Sequence, residues 1–172
     1  TVEQYHQLPK SAQAKLKDIG GFVGGSLIGL QRKAINVTGR DLITLDLDAI
    51  EPGQTDNVVR TVDSLGMAYV VYSTRSHTPH RPRLRVVIPT DRTMTPDEYE
   101  PIARKAASLI GIGMMDSTTF EASRLMYWPG CSSDAQYVFR YADKPFLSAD
   151  GILDEYTDWR DVASWPQVPG SE

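Results

Sequence analysis

The stretch LITLDLDAI, residues 42–50, decides the fold, because apolar and polar side chains alternate along it up to two carboxylates. Successive side chains of an extended strand point to opposite faces. The pattern therefore predicts a strand over residues 42–48 that buries one face. The buried face would hold Ile43, Leu45 and Leu47, and the other face Thr44, Asp46 and Asp48. Both carboxylates would then project together from a rigid element.

The bulk composition fits one globular domain. The chain has 172 residues, of which 41% are hydrophobic, which excludes wholesale disorder. Its apolar runs are too short for a membrane span, and no signal peptide is visible. The single cysteine, Cys131, excludes an intramolecular disulfide and a Cys/His metal site and is compatible with a cytoplasmic protein. Because the first residue is not Met, we expect the catalytic domain of a longer protein, with an acidic tail over 143–172.

The segments around residues 42–50 predict an α+β fold with a mostly antiparallel or mixed sheet. A short helix is expected near the start, with Ser11 as its N-cap, and another over residues 55–66. The strands MAYVVYST and RLRVVIPT, joined by the loop RSHTPHRP, predict a hairpin over residues 67–90 with a basic tip. A helix should begin after Thr95, where Glu98 completes a capping box. RLMYWPG and QYVFRYAD predict two more strands, and the tail has weak helical character with Trp159 and Trp165 as anchors.

The paired carboxylates indicate a metal site. Residues two apart on a strand lie on one face, with their α-carbons about 6.5–7 Å apart. Two carboxylates at this spacing repel each other unless a cation lies between them or one of them takes up a proton. Hard oxygen ligands suit Mg²⁺ or Mn²⁺, as in two-metal phosphoryl-transfer sites. Asp116, before a predicted strand, is the best candidate for a third ligand. Two solvated acids at a strand end fit the tripeptide equally well, and Asp116 alone also fits a turn or cap.

The hairpin predicts phosphate binding. Residues 75–90 contain four arginines, two histidines and no acid until position 91. Arg83 and Arg85 share a strand face and could bind phosphate oxygens in bidentate fashion, with Ser76 and His77 as further donors. Arg124 is a second cationic candidate. The alternatives are a solvated basic hairpin and a pairing of Arg124 with a nearby acid such as Glu121.

The order of these pieces resembles the catalytic core of the archaeo-eukaryotic primase (AEP) superfamily, closest to the primase-polymerase (prim-pol) domains of phages and plasmids. The resemblance covers roughly residues 15–142 and is carried by LITLDLDAI, the basic hairpin, the helix after it and MMDSTTFEASRLMYWPG. It implies a modified RNA-recognition-motif-like sheet with flanking helices and a small α/β subdomain. It also implies that Asp46 and Asp48 are the first-motif metal ligands, that Asp116 completes the site, and that Arg124 contacts nucleotide. The family's second motif is typically Ser-x-His, and here Arg83-Leu84-Arg85 stands in its place, with His77 taking part of the role.

The resemblance further implies a DNA primase and DNA-directed polymerase, a nucleotidyltransferase that uses a two-metal Mg²⁺ or Mn²⁺ site. Its partners would be a single-stranded DNA template, NTPs or dNTPs, and a fused or associated helicase. It would act in phage or plasmid replication in the bacterial host cytoplasm, without a membrane.

Two other functions fit parts of the sequence. An Asp-x-Asp phosphatase would use Asp46 as nucleophile, but Ile50 stands where that class expects Thr or Val. A non-enzymatic module that binds single-stranded DNA or an origin would need only the basic hairpin. Replacing the two aspartates would leave the function of such a module intact.

Overall fold

A computed structural model describes residues 1–170 as five helices and seven strands with short 3₁₀ turns between them. The helices are α1 Val2–Gln7, α2 Lys10–Lys17, α3 Thr55–Ser64, α4 Pro96–Ile110 and α5 Ala149–Leu153. The strands are β1 Gly21–Phe22, β2 Gly25–Leu27, β3 Val37–Leu47, β4 Tyr69–Ser73, β5 Leu84–Met94, β6 Met126–Tyr127 and β7 Phe139–Ala142. The predicted α+β class is confirmed.

The main sheet is antiparallel throughout and has the strand order β2-β3-β5-β4-β7. The predicted hairpin is the central pair β4–β5, whose connection is the basic loop. Strands β1 and β6 form a separate two-stranded ribbon. One register row runs across four strands of the main sheet, through Asp46, Arg85, Tyr72 and Phe139.

One face of the sheet carries the hydrophobic core. Ile43, Leu45 and Leu47 are fully buried there, as the alternation predicted. Helices α3, α4 and α5 pack against this face through residues such as Val62, Ile102 and Ile152. Helix α4 has the predicted capping box, in which the Thr95 side chain and Glu98 each accept from the other's backbone. The opposite face of the sheet carries the charged pair Asp46 and Arg85.

Several boundaries differ from the expectation. Ser11 does not cap α2. The helix begins at Lys10, and Pro9 is its N-cap residue. The proline ring fixes φ at −55°, which suits the extended conformation of a residue directly before a helix. Strand β3 starts at Val37 and not at residue 42, because β2 pairs with residues 37–40. RLMYWPG contains only the two-residue β6, since Pro129 cannot donate to a ladder.

The acidic tail packs on the domain. Ala149, Ile152 and Leu153 of α5 join the core, and Trp159 packs against it. The last two residues of the expected tail, 171–172, lie outside the described residues. Among residues 1–170, no helix is long and apolar enough to cross a membrane.

Candidate functional site

Residues 114–119 bring Asp116 beside Asp46. Strand β2 stops pairing at Arg40, so the outer edge of β3 beyond it is open to another partner. The segment 114–119 covers that edge. The Asp116 backbone N–H donates to the Asp46 carbonyl at 2.9 Å, and Leu47 and Met115 form an isolated antiparallel β-bridge. The buried Thr119 hydroxyl accepts from the Asp46 backbone N–H at 2.9 Å. Two acids 70 positions apart are thus fixed to one strand.

Two arginines hold the Asp46 carboxylate. Arg85, its register partner on β5, places Nε and Nη2 each 2.7 Å from Asp46 Oδ1. Nη2 of Arg124 lies 3.8 Å from Asp46 Oδ2 and 3.1 Å from Asp116 Oδ2. One guanidinium nitrogen therefore bridges the free oxygens of the two carboxylates. The alternative pairing of Arg124 with Glu121 occurs only through their backbones.

Asp116 has a second role as a cap. Its Oδ1 accepts from the backbone N–H of Thr118 at 2.9 Å and from the Thr118 hydroxyl at 2.8 Å, which begins the 3₁₀ turn Ser117–Phe120. The two roles use different oxygens. The turn orients the side chain so that Oδ2 faces Arg124.

Asp48 lies one residue beyond β3 and is exposed. Its carboxylate forms an ion pair with Arg83, and its backbone N–H donates to the Met114 carbonyl at 3.0 Å. Arg83 and Arg85 thus face Asp48 and Asp46 respectively, on one side of the sheet. The strand alternation predicted this shared face.

Burial dominates the electrostatics of Asp46. Its side chain is almost fully buried, and this desolvation raises the pKa of the carboxyl, although Arg85 opposes the rise. The exposed Asp48 nearby adds to the rise by repulsion. A cation bound at Asp46 would therefore stabilise its ionised form.

These side chains line one cleft of about 350 Å³. Six cationic residues line it, namely Lys17, Arg32, Arg75, Arg83, Arg85 and Arg124. Four acidic residues line it as well, namely Asp46, Asp48, Asp116 and Glu121. The lining therefore has an excess of two positive charges in a chain whose net charge is −4. Such a cleft attracts a polyanion.

Lys17 and Arg32 come from segments that no sequence pattern placed at the site, whereas Arg75 belongs to the basic hairpin that was expected there. Lys17 ends α2, and burial together with the nearby Arg83 lowers the pKa of its amine. Arg32 is fixed through a hydrogen bond to the Ser123 carbonyl at 2.8 Å. Only long-range contacts bring these residues together, and no local pattern announces such contacts.

Ser76 and His77 lie outside the residues that line the cleft. His77 is buried, and its Nδ1 accepts from the Arg83 backbone N–H at 3.1 Å, so it positions the start of β5. Burial lowers the pKa of His77. The Ser76 hydroxyl lies 3.4 Å from the hydroxyl of Tyr5. Their predicted contact with a nucleotide stays a prediction.

The carboxylates offer hard oxygen ligands that suit Mg²⁺ or Mn²⁺. The Arg124 guanidinium already places positive charge between Asp46 Oδ2 and Asp116 Oδ2, so this pair fits a cation. Asp48 is turned to Arg83. Within residues 1–170, no three His, Cys, Asp or Glu side chains are gathered closely enough to hold a metal ion. A metal bound by all three aspartates would have to displace Arg124 from Asp46 and Asp116 and Arg83 from Asp48, whereas Arg85 could stay on Asp46 Oδ1.

Comparisons with known proteins point to one group. Residues 1–168 match the sequence model of a family described as the VapE N-terminal domain. No curated protein matches the chain. The structure is similar to the AEP domain of the cyanophage S-2L primase-polymerase, with a TM-score of 0.55 and 12% identity, covering 86% of this chain and 76% of that chain. At this identity the likeness shows the fold, and it confirms the primase-type fold that the resemblance implied.

Proposed function

The chain belongs to the VapE N-terminal domain family, and from this premise we propose that its cleft catalyses metal-dependent nucleotidyl transfer on a single-stranded DNA template. The product would be a new primer or an extended strand. The observation that carries the proposal is the pair of carboxylate oxygens, Asp46 Oδ2 and Asp116 Oδ2, that face the same Arg124 guanidinium. They lie in a cleft with excess positive charge. The fold of a phage primase-polymerase supports the same reaction class.

Asp46, Asp116 and Asp48 would hold Mg²⁺ or Mn²⁺. When bound, such ions activate a 3′-hydroxyl and neutralise charge on the leaving pyrophosphate. Arg85 occupies only Oδ1 of Asp46, which leaves Oδ2 as the ligand atom. The buried Arg85 thereby orients the carboxylate and compensates its charge.

Arg83 and Arg124 would bind the triphosphate. Both guanidinium groups are partly exposed in the cleft, and each is paired with an acid that a divalent ion would also attract. Guanidinium forks match phosphate oxygens in bidentate geometry. Lys17 and Arg75 line the same cleft and add charge for the polyanion. The exposed Trp128, which packs on Phe22 with ring centroids 4.8 Å apart, offers a surface for a base.

A second function, a non-enzymatic module that binds single-stranded DNA, is favoured by one observation. Each of the three aspartates already pairs with an arginine. In such a module these pairs would only stabilise the fold, and the remaining cationic residues would bind the phosphate backbone.

The decisive experiment measures nucleotide incorporation. Wild type, supplied with unprimed or primed single-stranded DNA, labelled NTPs or dNTPs, and Mn²⁺ or Mg²⁺, should make products that depend on the metal. The double variant Asp46→Ala, Asp48→Ala and the single variant Asp116→Asn should each lose incorporation by at least about a hundredfold, since they remove ligand oxygens.

Asp56→Asn is the matched control, because Asp56 is an exposed acid in the first turn of α3 and does not line the cleft. It removes the same formal charge and should retain wild-type incorporation. Equal synthesis by wild type and the Asp46, Asp48 double variant would refute the enzyme. Unchanged DNA binding with no synthesis by any protein would favour the non-enzymatic module.

A further inference from the structure

The edge strand β7 and the segment that enters it present a row of exposed aromatic rings. Tyr137, Phe139 and Tyr141 occupy every second position of the chain, and these residues are 44%, 46% and 68% exposed. Val138, between the first two rings, and Ala142, directly after the third, pack against the core. By the alternation of an extended chain, the three rings therefore share the face of the sheet that points away from the core. We call these three residues the aromatic stripe.

The aromatic stripe continues the face that holds the candidate active site. Phe139 on β7 pairs with Tyr72 on β4. Tyr72 in turn pairs with Arg85 on β5, and Arg85 pairs with Asp46 on β3. Tyr72 lines the cleft, and the Arg85 guanidinium lies 5.6 Å from the centre of its ring. One uninterrupted row of side chains thus leads from the acidic centre to the free edge of the sheet.

The chemistry of this path favours a single strand of nucleic acid. The rings of Phe139 and Tyr141 have centroids 6.1 Å apart and are tilted by 42°, so they do not cover each other's faces. Exposed aromatic faces beside a cationic groove bind successive bases of a single strand by stacking, without regard to sequence. The cleft at the other end has an excess of positive charge for the phosphates.

We propose that Tyr137, Phe139 and Tyr141 form a stacking platform on which single-stranded DNA lies as it passes between the cleft and the edge of the sheet. That this DNA is the template rests on the proposed function; the binding itself does not. The bases stack on the rings while the phosphates face the arginines. Loss of a ring therefore weakens binding of any sequence to a similar extent.

The test is fluorescence anisotropy of labelled oligo(dT) and of a mixed-sequence single strand with the whole chain, without metal or nucleotide. Phe139→Ala and Tyr141→Ala should each weaken binding about tenfold, and the double variant should weaken it further. Tyr141→Phe keeps the ring and should bind like wild type. Phe146→Ala is the matched control, because Phe146 is a ring 57% exposed outside β7. It too should bind like wild type.

Wild-type affinity in the Phe139, Tyr141 double variant would overturn the platform, as would a wild type that does not bind the oligonucleotides. An unchanged DNA affinity together with a change in self-association, measured by sedimentation, would also overturn it and assign the edge to a second copy of the chain. The proposed function fails separately. If ring loss weakens DNA binding while no protein incorporates nucleotides, the platform stands and the enzyme does not. If incorporation depends on Asp46 and ring loss leaves binding unchanged, only the platform fails.

Discussion

Replacing Thr119 with valine should loosen the junction that brings Asp116 beside Asp46. Thr119 is fully buried, and its hydroxyl accepts from the Asp46 backbone N–H at 2.9 Å while it donates to the Thr44 carbonyl at 3.0 Å. Valine has a similar shape but can form neither hydrogen bond. The outer edge of β3 would then keep a buried backbone donor without a partner.

The magnitude follows from those two bonds. A buried donor left without a partner costs about 1–3 kcal/mol, and this applies to the Asp46 N–H. The Thr44 carbonyl loses less, because the Tyr99 hydroxyl also donates to it, at 3.5 Å. Together we expect Thr119→Val to lower the free energy of unfolding by about 2–3 kcal/mol, a large part of the roughly 5–15 kcal/mol typical of a domain.

Urea unfolding followed by circular dichroism measures this loss, with an unchanged m-value showing that only stability has changed. Thr119→Ser is the matched control, because it keeps the hydroxyl and loses one buried methyl group, which costs about 1 kcal/mol. The reasoning is refuted if Thr119→Val unfolds within about 0.5 kcal/mol of wild type, or if the serine variant loses more than the valine variant.

Three further substitutions test the charges and the packing around the site. Arg85→Leu leaves the Asp46 carboxylate buried without its main partner and should lower the free energy of unfolding in urea by about 3 kcal/mol at about pH 7. This loss should be smaller at about pH 4, because burial raises the pKa of the Asp46 carboxyl and the group then takes up a proton. Burial lowers the pKa of His77, so the unfolded chain binds that proton more readily; wild-type stability should fall as pH decreases through about 6.5, and His77→Asn should flatten this part of the profile of urea midpoint against pH. Gly25→Ala would put a methyl group 2.0 Å from the Gly39 carbonyl oxygen of the paired strand, and calorimetry should show a lower Tm, equivalent to about 2–3 kcal/mol.

The parts of the fold that sequence reasoning predicted are those with a local signal. The alternation from Ile43 to Asp46 predicted which face of β3 joins the hydrophobic core, although Thr44 and Asp46 on the other face are buried as well. The Thr95 and Glu98 capping box predicted the start of α4, and both of its hydrogen bonds form, at 3.4 and 2.9 Å. Asp116 could be nominated as a third acid, but its position beside Asp46 depends on backbone pairing of residues 70 apart. No periodicity predicts that pairing.

The partners of charged side chains could not be read from the sequence. Arg40 is 0% exposed although arginine is usually a surface residue, and its guanidinium donates to the Gly24, Leu42 and Ala122 carbonyls and to the Thr44 and Tyr99 hydroxyls. Burial lowers its pKa, and the hydrogen bonds compensate only part of the lost hydration. A pattern method treats such a residue as exposed, because three of its five partners, Gly24, Ala122 and Tyr99, come from other segments. For the same reason, the sequence could not predict that Asp46, Asp48 and Asp116 each pair with an arginine.

Stability and site geometry are coupled along the outer edge of β3 but not at Arg124 in the cleft beside it. The hydrogen bonds that cover the edge from Thr44 to Asp48 are the same bonds that fix Asp116, so a change there must disturb the fold and the acids together. Arg124 differs, because its side chain is partly exposed and its ion pairs join only the two carboxylates. Partly exposed ion pairs contribute little to stability. The cation between the acids is therefore the replaceable part of the site, whereas the positions of the acids are properties of the sheet itself.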